Sequence, residues 1–127
     1  MNNSSSLPAG LRTWFVIHFV IDMLVGIPLL FFPEVIMPLL GWSPIDPIAS
    51  RIVGAALMGI GIESWIGRNA SLDVYRAMLN LKVIWSSSAM LAIGLGLWQG
   101  GASAGWLFLA VFFIFWVVWV YYRNKIN

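Results

Sequence analysis

Four long runs of apolar residues, separated by short polar segments, dominate the chain. They cover residues 12–32, 47–67, 76–98 and 104–122, and each is about 20 residues long, as a helix that crosses a bilayer requires. The pattern predicts an all-α fold, an integral membrane bundle of four transmembrane helices. We expect one domain over residues 1–127, in which the Asn- and Ser-rich residues 1–11 form a flexible tail.

The polar segments contain signals for where the helices begin. Between the first two runs, the segment PEVIMPLLGWSPIDP holds four prolines and a short apolar stretch, residues 35–40, which we expect to lie along the membrane interface. Asp46 followed by Pro47 is typical of a helix start, so the second helix should begin between residues 44 and 47. The third helix should begin near Ser71, with Asp73 in its first turn.

The positive charges predict an orientation. Of the seven Lys and Arg residues, only Arg51 lies at one side of the spans. The other six are Arg12, Arg68, Arg76, Lys82, Arg123 and Lys125. Cytoplasmic ends carry an excess of cations, so both termini are expected in the cytoplasm, and the protein in the inner or plasma membrane of the cell.

Composition supports a lipid environment and excludes several classes of protein. The chain is 61% hydrophobic and 9% charged, with a mean hydropathy of +0.89, whereas soluble domains are about 25% charged. Seven cations are too few for a nucleic-acid face, and the absence of cysteine excludes disulfides and thiolate metal sites. The expected partners are membrane lipids, other membrane subunits or a second copy of the chain.

Ionisable residues inside the runs predict a polar cluster. His18 and Asp22 are four residues apart and share a helix face. At 1.5 Å per residue, His18, Glu63 and Lys82 lie roughly 8–9 Å inside the nearest arginine of their own spans, and Asp22 roughly 15 Å. We therefore predict that His18, Asp22, Glu63 and Lys82 converge between the first three helices. Ser86, four residues beyond Lys82, could add a hydroxyl.

Several roles for this cluster remain open. Buried ionisable groups in membranes usually pair with one another, which would make it a structural lock, but it could also bind a ligand or handle protons. A metal site at His18, Asp22 and Glu63 would compete with Lys82 for the carboxylates. A pigment or haem held by His18 is a further alternative. At the other side, we expect Arg51 to reach lipid phosphates or to pair with Glu34 or Asp46.

Small residues at four-residue spacing indicate where helices approach closely. One such ridge contains Ala55 and Gly59, and a second contains Ser88, Ala92, Gly96 and Gly100. The ridges could serve packing within the chain or contact with a second copy.

A set of Gly, Pro and Arg positions resembles the small DoxX-like, four-helix membrane proteins. These positions are Gly26-x-x-Leu29 with Pro33, Arg51-x-x-Gly54-Ala55, Gly59-x-Gly61, and Arg76 to Lys82 at the start of the third span. The resemblance covers roughly residues 20–98. It implies a loose link to membrane oxidoreductase or quinone-associated complexes and carries over no catalytic residue.

Three functions follow as hypotheses. Because no nucleophile–base arrangement, phosphate loop or metal signature occurs, we expect a non-enzymatic membrane protein: an accessory subunit of an electron-transfer type complex, or a bundle that binds lipid or quinone. The second hypothesis is a proton-coupled transporter that uses Asp22 and Glu63. The third is an intramembrane enzyme for a hydrophobic substrate, with His18 and Asp22 as its acid–base pair. No cofactor can be assigned; lipid, quinone or pigment are the candidates.

Overall fold

The structure, a computed structural model, describes residues 6–126, in which all regular secondary structure is helical. Its helices are α1 (Leu11–Phe31), α2 (Pro33–Leu39), α3 (Pro47–Ile66), α4 (Leu72–Trp98) and α5 (Gly105–Lys125), with a 3₁₀ turn at Gly67–Asn69. All but α2 are long and apolar enough to cross a membrane. The predicted all-α class with four spans is confirmed, and the chain is an integral membrane protein. The orientation of its termini stays a prediction.

Local chemistry explains where the helices begin. The Asp46 carboxylate accepts hydrogen bonds from the backbone N–H groups of Ile48 and Ala49, at 2.9 and 3.2 Å, and Pro47 follows as the first helical residue of α3. Ser71 caps α4 in the same way, by accepting from the N–H of Val74 at 3.4 Å. Both starts agree with the sequence prediction. The segment expected at the interface forms the seven-residue helix α2.

The chain divides into two compact units. Arg12–Asn69 forms one, and the residues that precede and follow this segment form the other. We call them the α1–α3 unit and the α4–α5 unit and describe each by itself. The single domain expected over residues 1–127 stays a prediction, and of the expected flexible tail, residues 1–5 lie outside the described residues.

The α1–α3 unit is built on close contact between two helix backbones. A Cβ atom on Gly54 would lie 2.7 Å from the Leu30 nitrogen and 2.8 Å from the Gly26 oxygen. A Cβ atom on Gly61 would lie 2.6 Å from the Cβ of Asp22. Only glycine fits such separations, and in lipid this close packing is what holds helices together.

The predicted ridges of small residues are not the sites of this contact. A Cβ atom built on Gly59, Gly96 or Gly100 meets no described atom within 4 Å. On α3, the contact uses the neighbouring helix face instead, whose buried residues are Ser50, Gly54, Leu57, Gly61 and Ser64.

The α4–α5 unit is a helical hairpin in which aromatic side chains make contacts between the two helices. Trp85 and Phe112 meet edge to face with ring centroids 6.0 Å apart, and the Trp116 indole donates to the Ser87 hydroxyl at 3.0 Å. Its turn contains Gly100 with φ +86°, a left-handed conformation that glycine adopts without strain. At the opposite end of the hairpin, the Tyr122 hydroxyl donates to the Ala9 carbonyl at 2.9 Å.

Buried residues of the hairpin are concentrated far from its turn. Those of α4 all lie between Tyr75 and Ser86. In α5, the buried residues are Gly105 and then Phe115, Trp119 and Tyr122. The half of the hairpin nearest the turn therefore buries no large side chain on either helix.

We expect Gly54→Leu to destabilise the protein by about 1–3 kcal/mol or more, the usual cost of overpacking, because the added atoms would meet backbone that cannot move aside. Gly59→Leu is the matched control on the same helix, since its site is open, and it should leave stability unchanged. Unfolding of both variants in mixed micelles, followed by circular dichroism, measures the difference. Equal stability of the two variants would contradict the assigned contact.

Candidate functional site

The α1–α3 unit buries a histidine beside a carboxylate in the middle of α1. His18 is 3% exposed and Asp22 is 5% exposed, and the His18 Nε2 atom lies 3.3 Å from the Asp22 Oδ2 atom. One helical turn separates the two residues, so the helix itself sets their distance. The sequence prediction placed them on the same face, where the structure shows them.

A serine of α3 extends this pair across the helix contact. Ser64 is fully buried, and its Oγ atom lies 3.5 Å from His18 Nδ1. The Ser64 hydroxyl donates its single hydrogen to the carbonyl oxygen of Ile60 at 3.0 Å. Toward the imidazole it can therefore only accept, so this contact is a hydrogen bond when Nδ1 carries the proton. We refer to His18, Asp22 and Ser64 as the polar triplet.

The same count of hydrogens applies to the other side of the ring. For Nε2 and Oδ2 to make a hydrogen bond, one proton has to lie between them, either on the imidazole or on the carboxyl group. Either form of that hydrogen bond would make the His18–Asp22 pair, whose atoms lie 3.3 Å apart, neutral overall. Neutrality matters here because an uncompensated charge inside a membrane is expensive.

The polar triplet does not have the arrangement of an activated nucleophile. Such a serine donates its hydrogen to the histidine that serves as its base. Ser64 donates to Ile60 instead, and no part of its side chain reaches the surface. The geometry gives no support to an acyl-transfer or hydrolytic role for these three residues.

Glu63, predicted in the cluster, has a different position. Its side chain is exposed, and it makes no hydrogen bond or ion pair with any residue that the structure describes. The next residue, Ser64, takes the buried place beside His18. Sequence reasoning missed Ser64, although it continues the stripe of small residues at three- and four-residue spacing that contains Gly54 and Gly61.

Lys82 and Ser86 belong to the α4–α5 unit. Lys82 is 2% exposed, and its Nζ atom lies 4.9 Å from the centre of the Trp119 ring, within the range of a cation–π interaction. The Ser86 hydroxyl donates to the Lys82 carbonyl at 2.7 Å, so the two residues share a face as their spacing predicted. Their convergence with His18 and Asp22 stays a prediction.

Arg51, at the other end of the spans, binds the C-terminal end of α1. The Arg51 Nε atom donates to the carbonyl oxygen of Leu30 at 3.0 Å, and a terminal nitrogen lies 3.2 Å from Glu34 Oε1. Of the two carboxylates considered for it, Glu34 is therefore its partner, while Asp46 caps α3. Arg51 thus satisfies a carbonyl that has no partner within its own helix.

An open apolar groove lies on the surface of the hairpin in the α4–α5 unit. Its volume is about 370 Å³, and it lies in the half near the turn, where neither helix buries a large side chain. The lining residues are Met90, Trp106, Leu109, Ala110 and Phe113. Besides the Trp106 indole, no lining side chain carries a hydrogen-bond donor.

Residues 6–126 contain no group of three His, Cys, Asp or Glu side chains that could hold a metal ion. Comparisons of the chain with family models, with curated proteins and with solved structures found no match. The DoxX-like resemblance therefore stays an interpretation of the sequence, and function has to be inferred from the geometry of the chain.

The proton on His18 can be observed directly, because His18 is the single histidine of the chain. We expect ¹⁵N NMR of histidine-labelled protein to show Nδ1 with a directly bonded hydrogen. In Ser64→Ala, the resonance of this nitrogen should shift because its acceptor is gone, whereas in Ser88→Ala, a change at an exposed serine, it should not. A hydrogen-free Nδ1 in the unaltered protein would contradict the assigned network.

Proposed function

We propose that the protein is a non-enzymatic integral membrane protein of the inner or plasma membrane that binds the hydrocarbon chain of a lipid along its α4–α5 hairpin. The groove lined by Met90, Trp106 and Phe113 carries this proposal. It lies on two helices of transmembrane length, and ligand sites commonly have volumes of about 300–1,000 Å³.

The lining residues of the groove favour a hydrocarbon chain over a quinone headgroup as the ligand. A quinone headgroup has two carbonyl oxygens that need donors, and of the lining side chains the Trp106 indole alone could donate. A saturated or isoprenoid chain needs only apolar contact, which Met, Leu and aromatic side chains provide. Methionine adapts easily to irregular shapes, so Met90 suits a flexible ligand.

The accessory-subunit form of the hypothesis would place a partner helix in the same groove. A helix inserts side chains at fixed intervals, whereas an acyl chain makes continuous contact. The groove has one lining residue from α4 and four from α5, which suits a thin chain lying along α5. Crosslinking separates the two occupants, because a partner helix adds the mass of a protein and a lipid does not.

We expect a diazirine-labelled phospholipid to crosslink to the groove residues of the unaltered protein in its native membrane. Ala110→Trp fills the groove and should reduce this labelling at least about fivefold, which corresponds to the roughly 1 kcal/mol that the loss of about one buried methylene group represents. Ala55→Trp, a matched change at an exposed alanine of α3, should leave it unchanged. Peptide mapping by mass spectrometry gives the readout.

Two outcomes would count against the lipid proposal. Labelling spread evenly over every exposed helix face would mean that the groove is ordinary lipid-facing surface. Crosslinks of the groove to a second polypeptide, with lipid labelling absent, would favour the accessory subunit.

Proton-coupled transport is a second candidate, and the burial of a histidine beside a carboxylate, His18 and Asp22, favours it. A carrier at this position would use Asp22, with Glu63 as the second carboxylate. In reconstituted vesicles, Asp22→Asn should abolish proton flux and Glu63→Gln should lower it. Flux that is unchanged in the double variant, or absent from the unaltered protein under every applied gradient, would exclude this candidate.

A further inference from the structure

The four α5 residues that line the apolar groove lie on one face of that helix. They are Trp106, Leu109, Ala110 and Phe113, and spacings of three and four residues bring side chains to the same side of a helix. Trp106 is in the first turn of α5, whereas Phe113 is near the middle of its 21 residues. Because α5 is long enough to cross a membrane, the groove has one end near a membrane surface. Its other end is about 10 Å deeper, at 1.5 Å per residue.

Trp106 provides the hydrogen-bond donor at the surface end of the groove. The residue is 63% exposed, and its indole N–H makes no hydrogen bond with any residue in the described range 6–126. Tryptophan favours the boundary between hydrocarbon and water, where the ring has apolar contacts and the N–H finds an acceptor. The indole has one donor and no acceptor. The lining side chains therefore offer a ligand one strong hydrogen bond, and they offer it only at the surface end.

The α4–α5 hairpin has no charged side chain near the groove. From residue 83 to residue 122 the sequence contains no Lys, Arg, His, Asp or Glu. Each Lys or Arg near a membrane surface attracts anionic lipids by about 1 kcal/mol, and this segment has none. The hairpin itself therefore gives no basis for selecting a lipid by the charge of its headgroup, and an uncharged group is the ligand that matches Trp106.

We propose that the groove holds a glycerolipid through an ester carbonyl oxygen, which accepts a hydrogen bond from the Trp106 indole. The acyl chain that leaves this ester lies against Leu109, Ala110 and Phe113. The inference rests on the proposed lipid-binding function and names the group that is recognised. An ester is uncharged and lies between the headgroup and the hydrocarbon, so it needs one donor at the surface end and apolar contact beyond it. The charge of the headgroup does not affect binding.

The test is photocrosslinking of the full chain in bilayers with two diazirine-labelled phosphatidylcholines. The two lipids are identical except that one has ester-linked and the other ether-linked chains, so the second lacks the carbonyl oxygen. In the unaltered protein, the ester lipid should label the groove peptides about fivefold more than the ether lipid, the ratio that a hydrogen bond of about 1 kcal/mol gives. Trp106→Phe keeps an aromatic ring and removes the donor, so both lipids should label it equally.

Trp98→Phe is the matched control. Trp98 is the last residue of α4, at the same end of the hairpin; it is 83% exposed and does not line the groove. This variant should keep the preference for the ester lipid. An equal loss of preference in Trp98→Phe and Trp106→Phe would overturn the assignment to Trp106.

The two levels of the proposal fail in different ways. Equal labelling by the ester and ether lipids in the unaltered protein, with labelling still concentrated in the groove, would overturn the ester contact and leave lipid binding intact. Labelling by both lipids that is spread over every exposed helix face would remove the proposed function itself. Ester-linked phosphatidylglycerol should label the groove as strongly as ester-linked phosphatidylcholine, and a preference for the anionic lipid would contradict recognition without charge.

Discussion

The close approach of α1 and α3 determines what the α1–α3 unit can bury. Gly26, Gly54 and Gly61 remove the side chains that would keep the two backbones apart, and in lipid such van der Waals contact replaces the hydrophobic effect as the force between helices. Because the Gly61 position lies against Asp22, the same contact fixes the carboxylate beside His18. The polar triplet therefore depends on the contact between α1 and α3. That contact brings the Ser64 hydroxyl of α3 to the buried His18 and Asp22 side chains of α1.

The two units differ in which residues they bury and in which side chains join their helices. The α1–α3 unit buries residues along the length of both helices, polar groups included, and uses small residues to do so. The α4–α5 hairpin joins its helices with large rings and leaves the half near its turn without a buried core. A rigid pair and an incompletely filled hairpin have different uses. The first suits a fixed position for a proton or a charge, and the second suits a surface that adapts to a flexible hydrocarbon.

Much of the fold could be predicted from the chain because span length and hydropathy are strong signals in a membrane protein. Asp46 with Pro47, and Ser71 with Asp73, also indicated the helix starts through their hydrogen-bonding chemistry. The rotation of α3 about its own axis could not be predicted in this way. One residue step turns a helix by about 100°, so the choice between Glu63 and Ser64 depends on which face packs, and a helix that is apolar on every side does not show that face. His18 and Asp22 could be paired because both lie on one helix, where spacing alone decides.

The order of the chain through its two units has a consequence for how the protein could be rearranged. Arg12–Asn69 is a segment inserted between two parts of the other unit, and the hydrogen bond from Arg12 to the Arg68 carbonyl shows that the two ends of the insert meet. Insertions whose ends are close together are those that proteins tolerate best. Because its two ends meet, the α1–α3 unit has the geometry of a segment that could be removed or replaced as a whole.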